Sequence, residues 1–320
     1  MGKPDVSVVM LALNAEETIE QALRSVLAQD LVADVVVVDD GSTDSTMGVV
    51  RGFTDSRIRV VPGPRAGFTP ALNCGLRAAR QPFVALCDSD DWWAPDRLDW
   101  QRRMIAEKAE CIAVSGAFAS ATPEGRHVAD LAVEGPSGDV TDILRNGITP
   151  TSFCTWLTRR SALETVGFAR DWFEIGSDMD LQTRLAEVGR VWHEPRVCYH
   201  YRLHDVSVTH THSAAFGAFF DDAVKRFARQ RRETGTDDLM RGTPPDPPEK
   251  KPPAAPDNRA RDQIRGHMTS QAWRHFEAGD RRAAFALMAR ALTMEPVNLS
   301  VWRGLGVMAV KTVTGRHQRP

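Results

Sequence analysis

Short apolar runs alternate with helical patterns along the first hundred residues. Val6-Ser7-Val8-Val9-Met10-Leu11 and Val35-Val36-Val37-Val38 have the length and β-branched make-up of buried strands, as do 57–61 and 82–87. Between them, 16–28 places Ile19, Leu23, Val26 and Leu27 on one helical face, and 44–50 and 68–79 continue as helices. Continuous apolar strands separated by helices predict an α/β fold whose mostly parallel sheet is covered on both faces. Further on, the spacing predicts a helix from Pro95 to 107, strands over 111–114 and 153–157, and a helix over 178–188. An extended segment follows over 191–201 and a long closing helix over 214–232, while Gly and Pro break the pattern from 117 to 147.

The alternation ends in a stretch that can form neither helix nor sheet. Residues 242–257 hold seven prolines, which lack a backbone N–H and fix φ, so this part reads as a semi-rigid extended linker. Beyond it, 271–296 suggests two antiparallel helices broken at Gly279-Asp280. Ala272, Phe276, Ala284 and Ala291 sit where a tetratricopeptide-type unit places small and apolar residues. The expected organisation is a body over 1–235, a linker over 236–258 and a small helical hairpin appendage over 259–320. Residues 301–313, with Trp302, Leu305, Val307, Met308 and Val310 near Arg303 and Lys311, suit two roles. They could lie on an anionic membrane or close the hairpin as a packed helix, and the second is the more ordinary.

Composition narrows the class. At 320 residues, 42% hydrophobic and 26% charged, the chain has the balance of a globular protein with a sizeable core. A net charge of −2 excludes a strongly basic nucleic-acid binder. The average conceals an asymmetry, because 258–320 has 11 basic and 4 acidic residues, net +7. A peripheral membrane or protein contact through this basic tail is one consequence to test. Cys74, Cys87, Cys111, Cys154 and Cys198 are odd in number and widely spaced, which argues against a disulfide framework. With no signal-type segment and no apolar run approaching ~20 residues, a cytoplasmic location is expected.

Two acidic clusters, Asp39/Asp40 and Asp88/Asp90/Asp91, fall at the C-terminal ends of predicted parallel strands, where open α/β sheets bind ligands. The Asp88-x-Asp90 spacing lets two carboxylates face one point, which suits Mg²⁺ or Mn²⁺ shared with phosphate oxygens; helix-capping aspartates are the plainer alternative. Val37-Val38-Asp39-Asp40-Gly41-Ser42 and Ala71-Leu72-Asn73-Cys74-Gly75 precede Leu86-Cys87-Asp88-Ser89-Asp90-Asp91-Trp92-Trp93-Ala94-Pro95-Asp96-Arg97-Leu98. Gly176-Ser177-Asp178-Met179-Asp180-Leu181 and Tyr201-Arg202-Leu203-His204 come later. In this order the series resembles family 2 glycosyltransferases of the GT-A fold, the Rossmann-like fold of nucleotide-diphospho-sugar transferases. The likeness covers roughly residues 4–230.

That resemblance implies a metal-dependent, inverting transfer from a nucleoside diphosphate sugar, UDP foremost, to a glycan or glycolipid acceptor. It also implies roles in surface-glycan synthesis. Leu11, Leu13, Glu16 and Asp40 would frame the nucleotide, Asp88 would assist there and bind metal with Asp90, and His204 would approach the metal. Asp178 would be the catalytic base, with Asp180 its rival. Ser177 stands where relatives often carry an acid, and Leu13 where an aromatic often stacks on the base. Trp172, Phe173 and Trp93 are candidate acceptor platforms, with core packing as the competing reading. Arg65 could reach the diphosphate or stay solvated. His200, His204, His210 and His212 could bind zinc, but no Cys or Glu completes a familiar spacing. A non-catalytic nucleotide-sugar-binding scaffold acting through the tail is the alternative function. A sugar-1-phosphate nucleotidyltransferase lacks support, since Leu11-Ala12-Leu13-Asn14-Ala15 has no glycine.

Overall fold

The computed structural model describes residues 3–108, 110–131, 137–203, 213–249 and 259–314, and the chain divides into two units. The first takes residues 1–118, 132–201 and 211–253; the second takes 119–131, 202–210 and 254–320. In the first unit β1 (Val6–Ala12), α1 (Ile19–Leu27), β2 (Val32–Asp39), α2 (Thr46–Arg51), β3 (Ile58–Pro62), α3 (Phe68–Ala78) and β4 (Phe83–Leu86) alternate as the periodicity predicts. Then come β5 (Trp92–Trp93), α4 (Arg97–Glu107) and β6 (Cys111–Ala121). After β7 (His127–Leu131) follow β8 (Gly138–Asp139), α5 (Thr141–Arg145), β9 (Leu157–Arg159), α6 (Arg160–Val166), α7 (Ser177–Val188), β10 (Arg190–Arg202) and α8 (Ala214–Thr234).

The sheet order is β3-β2-β1-β4-β9-β6-β10-β5. β3, β2, β1 and β4 are parallel, β9 runs antiparallel to both of its neighbours β4 and β6, and β5 pairs antiparallel with β10. The chain builds leftward from β1 to β3 and then returns to place β4 on the other side of β1. That reversal opens a crevice at the C-terminal ends of β1 and β4, beside both acidic turns. Both faces of β1 are buried: Val8 and Met10 join the layer of Ile19, Leu23 and Val26, whereas Val9 faces Leu72 and Leu76. Gly75 permits that second contact, because a Cβ there would meet Val9 Cγ1 at 2.3 Å.

Three departures from the sequence reading have local causes. Residues 153–155 form a 3₁₀ turn, not a strand, since Thr155 donates from both its N–H and its hydroxyl to Ser152 O. β6 continues to Ala121, past the expected end at 114. The linker also starts later than 236: Asp237 is fully buried and accepts from Arg170 and Arg231, which ties this turn to the body.

The second unit is more than a hairpin. Its α9 (Arg259–Glu277) begins earlier than the spacing predicted, and α10 (Arg281–Met294) starts after the expected break, capped by Asp280 accepting from Ala283 N–H. α11 (Leu299–Thr314) packs as a third helix through buried Val301 and Met308. Strand β7 belongs here too, its carbonyls at Asp130 and His127 receiving Arg274 and Arg290.

What fixes the start of α7 is charge. Asp180 is fully buried and accepts from Arg170 Nε at 2.9 Å and Arg184 Nε at 2.8 Å, with Arg231 at 3.9 Å. Arg170 reaches on to Asp237 at 2.7 Å, and Arg231 to Glu187 at 2.8 Å. Removing one member of such a buried set leaves its partners uncompensated. Asp180→Asn is therefore expected to lower unfolding stability by about 3–5 kcal/mol, measured by urea denaturation.

Candidate active site

The left bank of the crevice is stitched from two loops. Asp40 N–H donates to Ala12 O at 3.0 Å, holding the turn after β2 against the end of β1. Asn14, at φ 52°, accepts from Thr43 N–H at 2.9 Å, and Ala15 N–H donates to Thr46 Oγ1 at 2.7 Å. Glu16 accepts from Ser45 N–H at 2.7 Å, so one of its oxygens clamps the start of α2. Asp40 accepts from Arg65 N–H at 2.6 Å, and the Arg65 side chain lies against Gly41. Gly63 lets β3 end this close, since a Cβ would stand 2.6 Å from Asp40 Oδ1. Leu11 is partly buried, and Leu13 stands 56% exposed at the rim.

The right bank is the turn after β4. Tyr199, buried in β10, donates its hydroxyl to Asp88 Oδ2 at 3.1 Å and accepts from Asp88 N–H at 3.0 Å. Beneath the turn, buried Arg97 lies 4.1 Å over the Trp93 ring and donates to Trp156 O. Burial first, then the charge of Asp90 and that of Asp178, pushes the Asp88 carboxyl up to about 7, against the lowering effect of the Tyr199 hydrogen bond. The charges of Asp90 and Asp178 thus both bear on the Asp88 carboxyl. Burial, then Asp88, drives the Cys87 and Cys154 thiols well upward, which keeps both from serving as thiolates.

Asp178 is half-buried in the first turn of α7. Burial raises its carboxyl, opposed by the N–H groups of Met179 and Asp178 itself, while Asp221 of α8 adds to the rise. Asp180, two residues on, is consumed by the arginines and takes no part in the crevice. The preceding loop is pinned by α3: Asn73 Nδ2 donates to Ala169 O and to Asp171 Oδ1, both at 2.9 Å, and Thr69 Oγ1 donates to Phe173 O at 2.9 Å.

Two acceptor-platform expectations are corrected. Phe173 is fully buried against Phe220 and Phe227, and Trp93 is 2% exposed with its Nε1 donating to Leu86 O. Core packing took both rings. Trp172 is partly exposed at the edge of the same aromatic cluster. His200 stacks on Trp92 at 5.0 Å, while His204, His210 and His212 lie outside the described residues. Among the described residues no three His, Cys, Asp or Glu side chains converge as a metal cage, and the five cysteines are unpaired. The sequence reading missed Tyr199, Arg97, Asp221 and the pinning role of Asn73. Asn73 and Arg97 stood inside motifs already marked.

Acidic turns at the switch point of an open α/β sheet define a nucleotide-binding class of protein. The family model of glycosyl transferase family 2 matches residues 7–167, half of the chain, and the chain belongs to that family. It is 32% identical over 205 residues to the succinoglycan biosynthesis protein ExoU of Rhizobium meliloti, covering 56% of each chain. Over 109 residues it is 45% identical to ExoO of the same organism, covering 33% of this chain and 30% of that one. It is 39% identical over 102 residues to an Escherichia coli protein named UDP-Glc:alpha-D-GlcNAc-diphosphoundecaprenol beta-1,3-glucosyltransferase WfgD, covering 31% and 40%. The chain thus spans about half or less of these relatives. Among solved structures, S. aureus TarS 1-349 in complex with UDP-GlcNAc superposes with a TM-score of 0.59 at 15% identity, covering 98% and 93%, which shows a shared GT-A fold.

The raised Asp88 carboxyl has a sign that can be measured. Between its ordinary 3.8 and about 7 the unfolded chain releases this proton before the folded one does. The group therefore costs the folded state progressively more as pH rises through that window, and the full cost stands above it. Asp88→Asn removes the charge and keeps an acceptor for Tyr199. Its melting temperature is expected to exceed the parent's by a margin that widens up to about pH 7 and is constant beyond, read by calorimetry in EDTA.

Proposed function

We propose that this chain transfers a sugar from a nucleoside diphosphate donor to an acceptor hydroxyl with inversion at the anomeric carbon. The observation that supports the proposal is the place of Asp88 and Asp90, on the turn after β4 where the strand order reverses, with the charge of Asp178 bearing on the Asp88 carboxyl. Such repulsion is relieved by a cation, and the all-oxygen donor pair of Asp88 and Asp90 fits Mg²⁺ or Mn²⁺, which keep sites for phosphate oxygens. Bound there, the ion would supply charge stabilisation for the departing diphosphate. Asp40, Leu11 and Leu13 would frame the base, with Arg65 beside them, and Glu16 acts by holding the loop.

Asp178 would take the proton of the acceptor hydroxyl. As that oxygen bonds to the anomeric carbon, the carbon's bond to the diphosphate oxygen breaks and the nucleoside diphosphate leaves with the electron pair. A carboxylate lifted by burial is better matched to this task than an ordinary one. Asn73 and Thr69 serve by fixing the loop before α7.

The donor we infer is a UDP-sugar: the E. coli relative is named for UDP-Glc, and the structural neighbour was solved with UDP-GlcNAc. The acceptor we infer is a growing surface glycan on a polyprenyl diphosphate, the class named in the E. coli relative. No helix among the described residues is long and apolar enough to cross a membrane. We infer action at the cytoplasmic face.

Calorimetric titration with UDP, GDP and dTDP, each with Mn²⁺ and with EDTA, tests the donor site. UDP is expected to bind only with Mn²⁺, and Asp90→Ala to abolish that binding; binding indifferent to EDTA would remove the metal from Asp88 and Asp90. Asp178→Asn is expected to retain UDP binding while transfer falls about 10²–10⁴-fold. Unchanged transfer would overturn the base assignment.

A further inference from the structure

The two faces of α11 differ sharply in exposure. Val301 and Met308 are buried and Gly304 lies close to Met288, whereas Leu299 is 82% exposed, Trp302 54% and Val307 40%. Val310 and, in the preceding turn, Val297 extend the exposed apolar patch. Helical spacing puts Leu299, Arg303, Gly306 and Val310 along the middle of the outer face, with Trp302 and Val307 on its flanks. The Trp302 Nε1 donates to Pro296 O at 2.8 Å, which fixes the indole while its ring stays exposed. Residues 301–313 thus do more than close the hairpin, because one side packs and the other remains apolar and open.

Charge selects the occupant. α11 carries Arg303 and Lys311 and no acidic residue, and the sequence continues with Arg316 and Arg319. A second copy of this helix laid face to face would bring Arg303 toward Arg303, with no carboxylate on either helix to meet it. A lipid interface satisfies the same residues differently. Guanidinium and ammonium groups reach phosphates while their methylenes stay among apolar neighbours, and a tryptophan ring suits the boundary between the two. We propose that the outer face of α11 docks the protein on an anionic lipid surface, with Leu299, Trp302 and Val307 entering the acyl boundary, Arg303 meeting headgroup phosphates, and Lys311, held 5.5 Å over the Trp273 ring at the edge of the face, adding to the positive field. A lipid-linked acceptor would give such docking a use, but the apolar, cationic face stands without it.

Sedimentation of the full chain with vesicles tests this. The protein is expected to bind vesicles of phosphatidylglycerol and phosphatidylethanolamine, to bind phosphatidylcholine weakly, and to release as salt is raised. Leu299→Asp/Val307→Asp is expected to weaken binding about tenfold or more, and Arg303→Gln/Lys311→Gln about tenfold, with circular dichroism unchanged. Should the first variant fold poorly, the second decides alone, since both cations are exposed. Three results would overturn the proposal: no binding to anionic vesicles, binding that neither variant weakens, or a parent dimer that Leu299→Asp/Val307→Asp converts to monomer. The last would assign the face to a second copy.

Discussion

Like charges gathered at the end of a sheet repel, and this constraint shapes the first unit. The reversal of strand order at β1 brings the turns after β2 and β4 to neighbouring positions, so aspartates 50 residues apart in sequence share one crevice. Adding Asp178 from α7 makes the crowding worse, and Asp88 answers by holding its proton up to about 7. Tyr199 steadies the crowded carboxyl with a hydrogen bond, and the turn itself rests on buried Arg97 stacked against Trp93. A cation of the kind proposed above would remove the repulsion that burial amplifies.

Holding Asp178 in place needs a second charge system that never touches the crevice. Asp180 and Asp237 serve as the anionic centres; Arg170 from the loop before α7 and Arg231 from α8 bridge them, and Arg184 of α7 itself pairs with Asp180. Guanidinium groups suit this work, since a planar fork of donors meets carboxylates and backbone carbonyls at once. Arg184 shows it, donating also to Val166 O and Phe168 O. The loop is caught from its other side by Asn73 and Thr69 of α3. The place of Asp178 is thus set by contacts remote in sequence, 96 residues between Asn73 and Ala169 and 104 between Thr69 and Phe173.

Much of this was legible in the residues. The apolar runs and helical faces of the first hundred positions define the parallel half of the sheet almost without ambiguity, because strand and helix periods differ and glycines mark the close approaches. The rest depended on tertiary contact. Nothing local says that Thr155 would fold 153–155 into a 3₁₀ turn, or that Asp237 would draw the chain past 235 into the body. Phe173 and Trp93 looked like sugar platforms for their position beside acidic motifs, yet large aromatics next to a sheet end are equally what a core requires. Tyr199 carried no signal beyond its place in an extended segment, since its partner lies 111 residues away.

The choice between Asp178 and Asp180 rests on helix geometry. Residues two apart on a helix point to opposite sides, about 200° around the axis, so one aspartate of this pair had to face away from the crevice. The sequence reading left both open, and in the structure it is Asp180. Asp180 has Arg184 four positions on, the spacing of a helical ion pair, whereas Asp178 has Gln182. A fully buried carboxylate held by two guanidinium groups is out of a substrate's reach. Asp178, in the first turn where the helix leaves backbone N–H groups unclaimed, keeps an open edge and a carboxyl raised by burial. One helix thus gives two neighbouring acids different settings: Asp180 is an anchor within the protein, and Asp178 stands where the proposed proton transfer would need it.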